Sequence, residues 1–328
     1  MNTPKRDKPD LPDTEPTPEK TYWNRRRVLL AMGLGAAAAG GAFWLGRGIK
    51  TEIAKPNILR PGVNRESVLA KFPATRNREF DQLPGDVDEL TQDIVAATNN
   101  NFYEFTTNKR QVWQICQDFN PDPWIIKVTG LCSKPAEFDL DDLFAIEQEE
   151  RTYRFRCVEA WAMDVPWTGY ELSKLLAKVH PLSSAKFVRF ISASDRSVMP
   201  GVKEQPWYPW PYFEALRMDE AMNRLTMLAT GIYGRPLPRQ HGAPCRLVVP
   251  WKYGFKSAKS IVRIELTDKH PGTFWNKVAP REYGFLANID PATPHPRWSQ
   301  ATEKMLGTGY PRKTLPFGGY GKYVAGMY

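Results

Sequence analysis

The chain predicts a mixed α+β fold, largely β and rich in loops, and three observations carry that expectation. Its 29 prolines, 11 tryptophans and 13 tyrosines are spread through a sequence whose helical patterns are all short. Apolar residues alternate with period two through several brief segments, the pattern of strands buried on one face. Beyond residue 50 roughly 280 residues remain, ample for one large core, and no internal repeat divides them.

In chain order, residues 1–22 are rich in Pro, Asp, Glu, Lys and Thr and nearly free of large aliphatics. Such a segment cannot bury enough surface to offset chain entropy and is expected to be disordered. Asn24-Arg25-Arg26-Arg27-Val28-Leu29-Leu30 leads into an 18-residue apolar run, Val28 to Leu45, holding four Gly and six Ala. An arginine pair, a spacer, two apolar residues and a weakly hydrophobic Gly/Ala core form the pattern of a twin-arginine export signal. The alternative is a permanent anchor, since the run reaches the lower limit for spanning a bilayer. The expected division is therefore residues 1–50, a disordered N-terminus with a signal peptide, and residues 51–328, the main domain. That export route carries folded proteins, which suits an enzyme loaded with a cofactor before it reaches the periplasm.

Residues 55–98 read as an irregular lead-in with a short helix between Asp86 and Thr98. Asn99-Asn100-Asn101 follows, three carboxamides suited to bonding irregular backbone or a polar ligand. Residues 124–131 form a strand, and 135–146 a turn and helix with Asp139 as N-cap. Val165 to Gly169 reads as a loop and Tyr170 to Val179 as a helix with Leu172, Leu175, Leu176 and Val179 on its core stripe. A strand over 186–192 closes on Ser192-Ala193-Ser194. Met199 to Tyr212 is a long Pro/Trp loop whose aromatics from Trp207 onward either flank a pocket or pack together. A helix over 217–225, a Gly/Pro loop over 231–244 and strands over 246–250 and 260–266 complete the pattern. Lys252, Lys256, Lys259 and Arg263, spaced by four, three and four across Gly254 and Ser257, read equally as an anion cradle or a solvated basic loop. No Walker pattern is present.

The sharpest chemical signal is Tyr153-Arg154-Phe155-Arg156-Cys157-Val158-Glu159-Ala160-Trp161, a strand running into a tight turn. A cysteine between guanidinium groups is expected to favour the thiolate, the form that ligates metals or attacks electrophiles; the plainer reading is a small core residue. The other cysteines are Cys116, Cys132 and Cys245, and no C-x-x-C occurs, which excludes zinc ribbons and thioredoxin-type motifs. A Cys116–Cys132 disulfide is left open. Nine of the 45 basic and five of the 36 acidic residues lie in residues 1–50, so the rest is only mildly basic. With no basic run interleaved with aromatics, nucleic-acid binding is not expected.

Five segments carry a resemblance: Asn-Phe-Tyr-Glu-Phe at 101–105, Arg-Cys-Val-Glu-Ala-Trp at 156–161, Gly-Ala-Pro-Cys-Arg-Leu at 242–247, Val-Pro-Trp-Lys-Tyr-Gly-Phe-Lys at 249–256 and His-Pro-Arg-Trp-Ser-Gln-Ala-Thr-Glu at 295–303. Together, over about residues 55–303, they resemble the periplasmic protein-methionine-sulfoxide reductases, molybdenum enzymes of the sulfite oxidase fold. The resemblance implies a mixed, largely β molybdopterin-binding catalytic domain with short peripheral helices. It implies that Cys157 ligates molybdenum, with two further sulfurs from molybdopterin, and that Asn100, Tyr103, Glu104 and Ser192 bind the pterin. His241, Arg246, Ser257, Ala258 and Lys259 would hold its polar tail and phosphate. His241 stands where the family has Asn and Ser192 where it has Thr; both keep a hydrogen-bonding group, and the His is expected to add charge at low pH.

The same resemblance implies reduction of methionine sulfoxide in exported proteins by a monomeric catalytic subunit. Electrons would come from a membrane haem-containing subunit, MsrQ, since no haem segment or dimerisation domain is evident. Sulfoxide repair suits an oxidising compartment. The alternatives are a sulfite-oxidising or small S-/N-oxide-reducing enzyme of the same fold, which needs arginines converging over the metal, and a cofactor-free binding protein with a buried Cys157.

Overall fold

A computed structural model describes residues 58–81 and 90–328. The expected N-terminal disorder and export signal, and the first part of the helix anticipated from Asp86, lie outside these residues. No helix among the described residues is long and apolar enough to cross a membrane.

Two sheets organise the described residues. The first runs β1 (Thr75–Arg76), β4 (Glu149–Arg156), β5 (Trp161–Glu171), β12 (Thr302–Met305) and β13 (Pro311–Lys313). From β5 it branches to β8 (Met227–Ile232), which also pairs with β9 (Arg235–Pro236) and β10 (Arg246–Val248). The second has the order β3 (Ala136–Asp139), β2 (Ile125–Gly130), β11 (Ile261–Thr267), β6 (Phe187–Ser192), β7 (Phe213–Arg217); β2 and β11 are parallel and the other pairs antiparallel. The helices are short; the one at Leu172–Val179 buries the four expected apolar residues.

The strands and helix expected at β2, β6, β11 and Leu140–Ala145 are present, and Asp139 caps that helix through a reciprocal capping box with Asp142. Residues 165–169, expected as a loop, instead lie inside β5, which is buried from Ala162 to Tyr170. Pro166 is tolerated there because its carbonyl accepts the Tyr233 N–H where β8 ends. In antiparallel pairing a residue's N–H and C=O face the same neighbour, so the missing donor costs no bond to β4. Of the helix expected over 217–225, Arg217 instead ends β7, and the helix runs from Met218 to Met222. The 199–212 loop contains a short helix, Pro200–Glu204.

All four cysteines are buried and free, so the Cys116–Cys132 disulfide does not form. Cys116 sits in a 3₁₀ turn near Trp113 O and Gln240, while Cys132 pairs in a bridge with Pro181.

Candidate active site

Cys157 is the first residue past β4, in the tight connection to β5. Its N–H donates to Trp161 O (2.8 Å), its carbonyl accepts from Ala160 N–H (3.1 Å), and Ala160 closes the turn at φ 67°. Two N–H donors reach the sulfur at 3.4 Å: the Asn101 carboxamide and the Glu159 backbone. The Glu159 carboxylate lies 3.7 Å from Sγ and is held by Lys109 (2.5 Å), Asn101 (3.1 Å) and Trp161 Nε1 (3.1 Å). Burial raises the Glu159 carboxyl, but Lys109 and these hydrogen bonds outweigh it and hold the group below the ordinary carboxylate range.

The flanking arginines do not ionise the thiol as expected. Arg154 and Arg156 both turn to Glu303, at 2.9 and 3.0 Å, which draws their charge away from the sulfur. Burial pushes the Cys157 thiol up to about 12, and the Glu159 charge adds to the rise. A metal cation at this sulfur would supply the positive charge that the arginines do not.

Cys157 lies in a cleft that is partly open to solvent. The carboxamide stretch forms one wall. Phe102 and Phe105 pack edge-to-face at 4.9 Å, and Phe105 meets Phe119 in the core. These anchors leave Asn100, Asn101, Tyr103 and Glu104 along the cleft. Gly201 lets this wall sit close: a Cβ there would stand 2.1 Å from Tyr103 O. Tyr212, Phe255, Trp275 and Tyr283 line an aromatic side; Tyr208 packs behind Tyr103 and Trp275, and Trp207 faces solvent.

At the deep side, Arg246 begins β10 and forms a bridge with Lys259. The guanidinium is 2% exposed, lies over Trp167 (4.9 Å) and Phe155 (5.3 Å), and donates only to the carbonyls of His241, Leu247 and Ser257. No carboxylate among the described residues pairs with it, and burial lowers it to about 9. Lys259 donates to Asn101 O at 2.7 Å. Burial lowers this ammonium and Arg246 lowers it further, whereas burial raises the Glu104 carboxyl; attraction between the two opposes both shifts.

His241 is fully buried, with Nδ1 3.3 Å from the Asn100 amide. Because that amide also donates to Ala96 O (3.3 Å), its orientation is set and Nδ1 accepts. The ring proton is then on Nε2, which has no partner. Burial, with Arg246, Arg235 and Lys259 nearby, lowers this imidazole to about 3. The low-pH charge expected of it is therefore corrected to a neutral donor.

Of the basic residues after 250, only Lys259 meets the cleft. Lys252 is buried on Glu220 and Asn288 (both 2.7 Å), Lys256 on Ala215 O (2.6 Å) and Glu214 (3.0 Å), and Arg263 is exposed on β11. Ser257 and Ala258 spend their N–H groups inside the turn, on Gly254 O and Lys256 O, and Ser257 Oγ accepts from Val249. Ser192 ends β6 beside Tyr212, its hydroxyl buried and unpartnered. Sequence reading took Asn101 only as one of three carboxamides suited to a polar ligand, and passed over Lys109, Glu159, Trp275 and Tyr283 as site residues. Glu159 had a signal, two residues from the cysteine; the two aromatics had none.

A model described as the oxidoreductase molybdopterin binding domain matches residues 113–275. The chain is 46% identical to the protein-methionine-sulfoxide reductase catalytic subunit MsrP of Burkholderia mallei (strain ATCC 23344), over 97% of this chain and 93% of that protein. The chain belongs to the MsrP family. MsrP of Campylobacter jejuni subsp. jejuni serotype O:2 is 44% identical, over 95% of this chain and 96% of that one. Among solved structures, the sulfane dehydrogenase SoxCD from Paracoccus pantotrophus is similar at 18% identity and TM-score 0.42, covering 73% of this chain and 57% of that one. The mixed, largely β molybdopterin-binding fold expected is thus the one found.

The residues fit such a cofactor. On the cleft, Asn100 Oδ1 and Asn101 Oδ1 are buried without partners and Arg246 is a buried cation without an anion; Ser192 Oγ and His241 Nε2 are also buried and unpartnered but do not line it. Buried polar groups in native proteins are ordinarily satisfied; a polar ring with an anionic tail would satisfy these.

Proposed function

We propose that this protein is a periplasmic, molybdenum-dependent reductase of methionine sulfoxide residues in exported proteins. Its relatives carry that activity in their names, and Arg25-Arg26 before a Gly/Ala-rich run supports export in the folded state by the twin-arginine translocase. In this reading it is a monomeric catalytic subunit that draws electrons from a membrane haem-containing subunit, MsrQ.

The observation that carries the reading is the buried Cys157 thiol at a cleft lined by unpartnered polar atoms and a carboxylate-free arginine. Cys157 would ligate the metal through Sγ. Asn100, Tyr103, Glu104 and Ser192 would hold the pterin, and His241, Arg246 and Lys259 its tail and phosphate, with Ser257 and Ala258 shaping that turn. When bound, molybdenum supplies two-electron chemistry that, with two protons, converts a sulfoxide to a thioether and water. Asn101 and the Glu159 N–H steady the sulfur that carries the metal. Glu159 Oε2 is an ionised oxygen beside that sulfur, held by Lys109, Asn101 and Trp161, and would fix the charge next to the metal site. Tyr212, Phe255, Trp275 and Tyr283 offer an apolar wall to a methionine side chain.

Oxidation of sulfite is less well supported, because Arg154 and Arg156, the arginines beside Cys157 in sequence, do not line the cleft and are engaged by Glu303 and Gln300. Elemental analysis of protein matured in cells tests the cofactor: about one molybdenum per chain is expected in wild type. Its absence under conditions that load a known molybdoenzyme overturns the reading. Cell fractionation tests the address, with recovery only in the cytoplasm contradicting it.

A further inference from the structure

The segment His295 to Glu303 lies outside the cleft lining, yet its polar side chains converge on the backbone of the Cys157 turn. Gln300 Nε2 donates to Val158 O at 2.9 Å, and Trp298 Nε1 donates to the same carbonyl at 2.8 Å. Gln300 Oε1 accepts from Arg156 at 2.7 Å, and the other arm of Arg156 bonds Cys157 O. Two consecutive carbonyls, of Cys157 and Val158, are thereby held by donors from β4 and from this segment. Behind them Glu303 joins Arg154, Arg156 and Arg312, and Lys304 N–H donates to Ala160 O at 2.8 Å. Trp298 is fixed in turn by a stack on His295, with centroids 3.8 Å apart and planes within 8°.

Gln300 is 2% exposed, so its two hydrogen bonds are sheltered from competing water. It alone ties Arg156, and through it Cys157 O, to Val158 O. The turn needs such restraint: Ala160 holds a left-handed conformation that a non-glycine residue adopts only at a cost. A sulfur on an unrestrained turn would sample several positions over the cleft.

We propose that Gln300 and Trp298 are positioning residues, which fix the orientation of Cys157 Sγ toward the cofactor by clamping the Val158 carbonyl. The proposal rests on Cys157 being the metal ligand; neither residue touches substrate or cofactor. Changes in the groups that orient a metal ligand typically alter activity or affinity on the order of 10–100-fold.

The test uses the loaded full chain with Gln300→Met, which keeps the volume and removes both hydrogen bonds, and Trp298→Phe, which keeps an aromatic ring and removes the donor. Thr226→Val is the control: Thr226 bonds Glu220 O at 2.6 Å, is fully buried, and belongs to neither clamp nor cleft. The expected result is a shifted electron paramagnetic resonance spectrum of the bound metal in both clamp variants, with kcat per molybdenum falling about tenfold at unchanged KM. Thr226→Val should lower thermal stability and leave spectrum and kcat per molybdenum unchanged. In cofactor-free protein, amide hydrogen exchange across 157–161 should quicken in the clamp variants only. Wild-type spectra and kcat per molybdenum in both clamp variants would overturn the proposal, as would losses matching those of Thr226→Val. Should Gln300→Met not fold, Trp298→Phe decides by the same readings. Wild type without molybdenum would instead count against Cys157 as ligand, while the exchange data would still judge the clamp.

Discussion

Replacing Glu303 by Gln should remove a large share of the stability of this fold. Glu303 is 3% exposed, accepts from Arg154 (2.9 Å) and Arg312 (2.5 Å) and lies in an ion pair 3.0 Å from Arg156 Nε; Asp164, fully buried, is the other carboxylate of the group and pairs with Arg312. Three cations face two anions, so the change leaves three against one in a space closed to water. A carboxamide of the same shape also turns an N–H₂ toward a guanidinium. Breaking a buried charge group from one side typically costs about 3–5 kcal/mol, and for a domain of this size each kcal/mol is worth about 2–4 °C in Tm. A fall on the order of 10 °C is expected in calorimetry of the cofactor-free protein. Arg224→Gln, which breaks exposed pairs to Glu79 and Glu171, should cost under about 1 kcal/mol. If Glu303→Gln loses no more than Arg224→Gln, the argument from burial is wrong.

Three further outcomes follow from the geometry. His241 binds fewer protons folded than unfolded between its ordinary 6.5 and about 3, so its penalty appears as pH falls through that window. Cofactor-free His241→Asn should therefore lose less stability than wild type between pH 6 and pH 4 in urea titrations, by up to about 1.4 kcal/mol per pH unit; parallel slopes would contradict this. Gly201→Ala should cost about 1–3 kcal/mol and loosen cofactor retention, because the added Cβ meets the Tyr103 and Glu104 carbonyls; unchanged Tm and molybdenum content would refute it. Lys252→Met should lose about 3–5 kcal/mol by stranding buried Glu220. A second change, Glu220→Leu, should recover part of that in chemical denaturation; a further loss would show that the pair is not the cause.

The elements legible in the sequence are those whose cause is local. Alternation marks β2, β6 and β11, and Asp139 three residues before Asp142 marks a helix start. Cys157 and the carboxamide stretch were legible as chemistry because few structural roles require them together. What failed depended on partners remote in sequence. Arg154 and Arg156 looked like activators of the thiol until Glu303, nearly 150 positions later, claimed them. Lys252 and Lys256 read equally as an anion cradle or a solvated loop until Glu220 and Glu214 paired with them in the core. Pro166 signalled a loop, and only the end of β8 explains why a buried strand accepts it. The neutral state of His241 is likewise collective, set by burial and three cations.

The central claim is that Cys157 holds a molybdenum centre that reduces methionine sulfoxide. The most direct measurement follows oxidation of a reduced dye by molybdenum-loaded protein on addition of an oxidised, methionine-rich protein, for wild type and Cys157→Ala. Turnover by wild type and none by a folded Cys157→Ala is the outcome expected. Equal turnover by both would contradict the role of the cysteine, and none by wild type with metal bound would move the activity to another oxidised substrate.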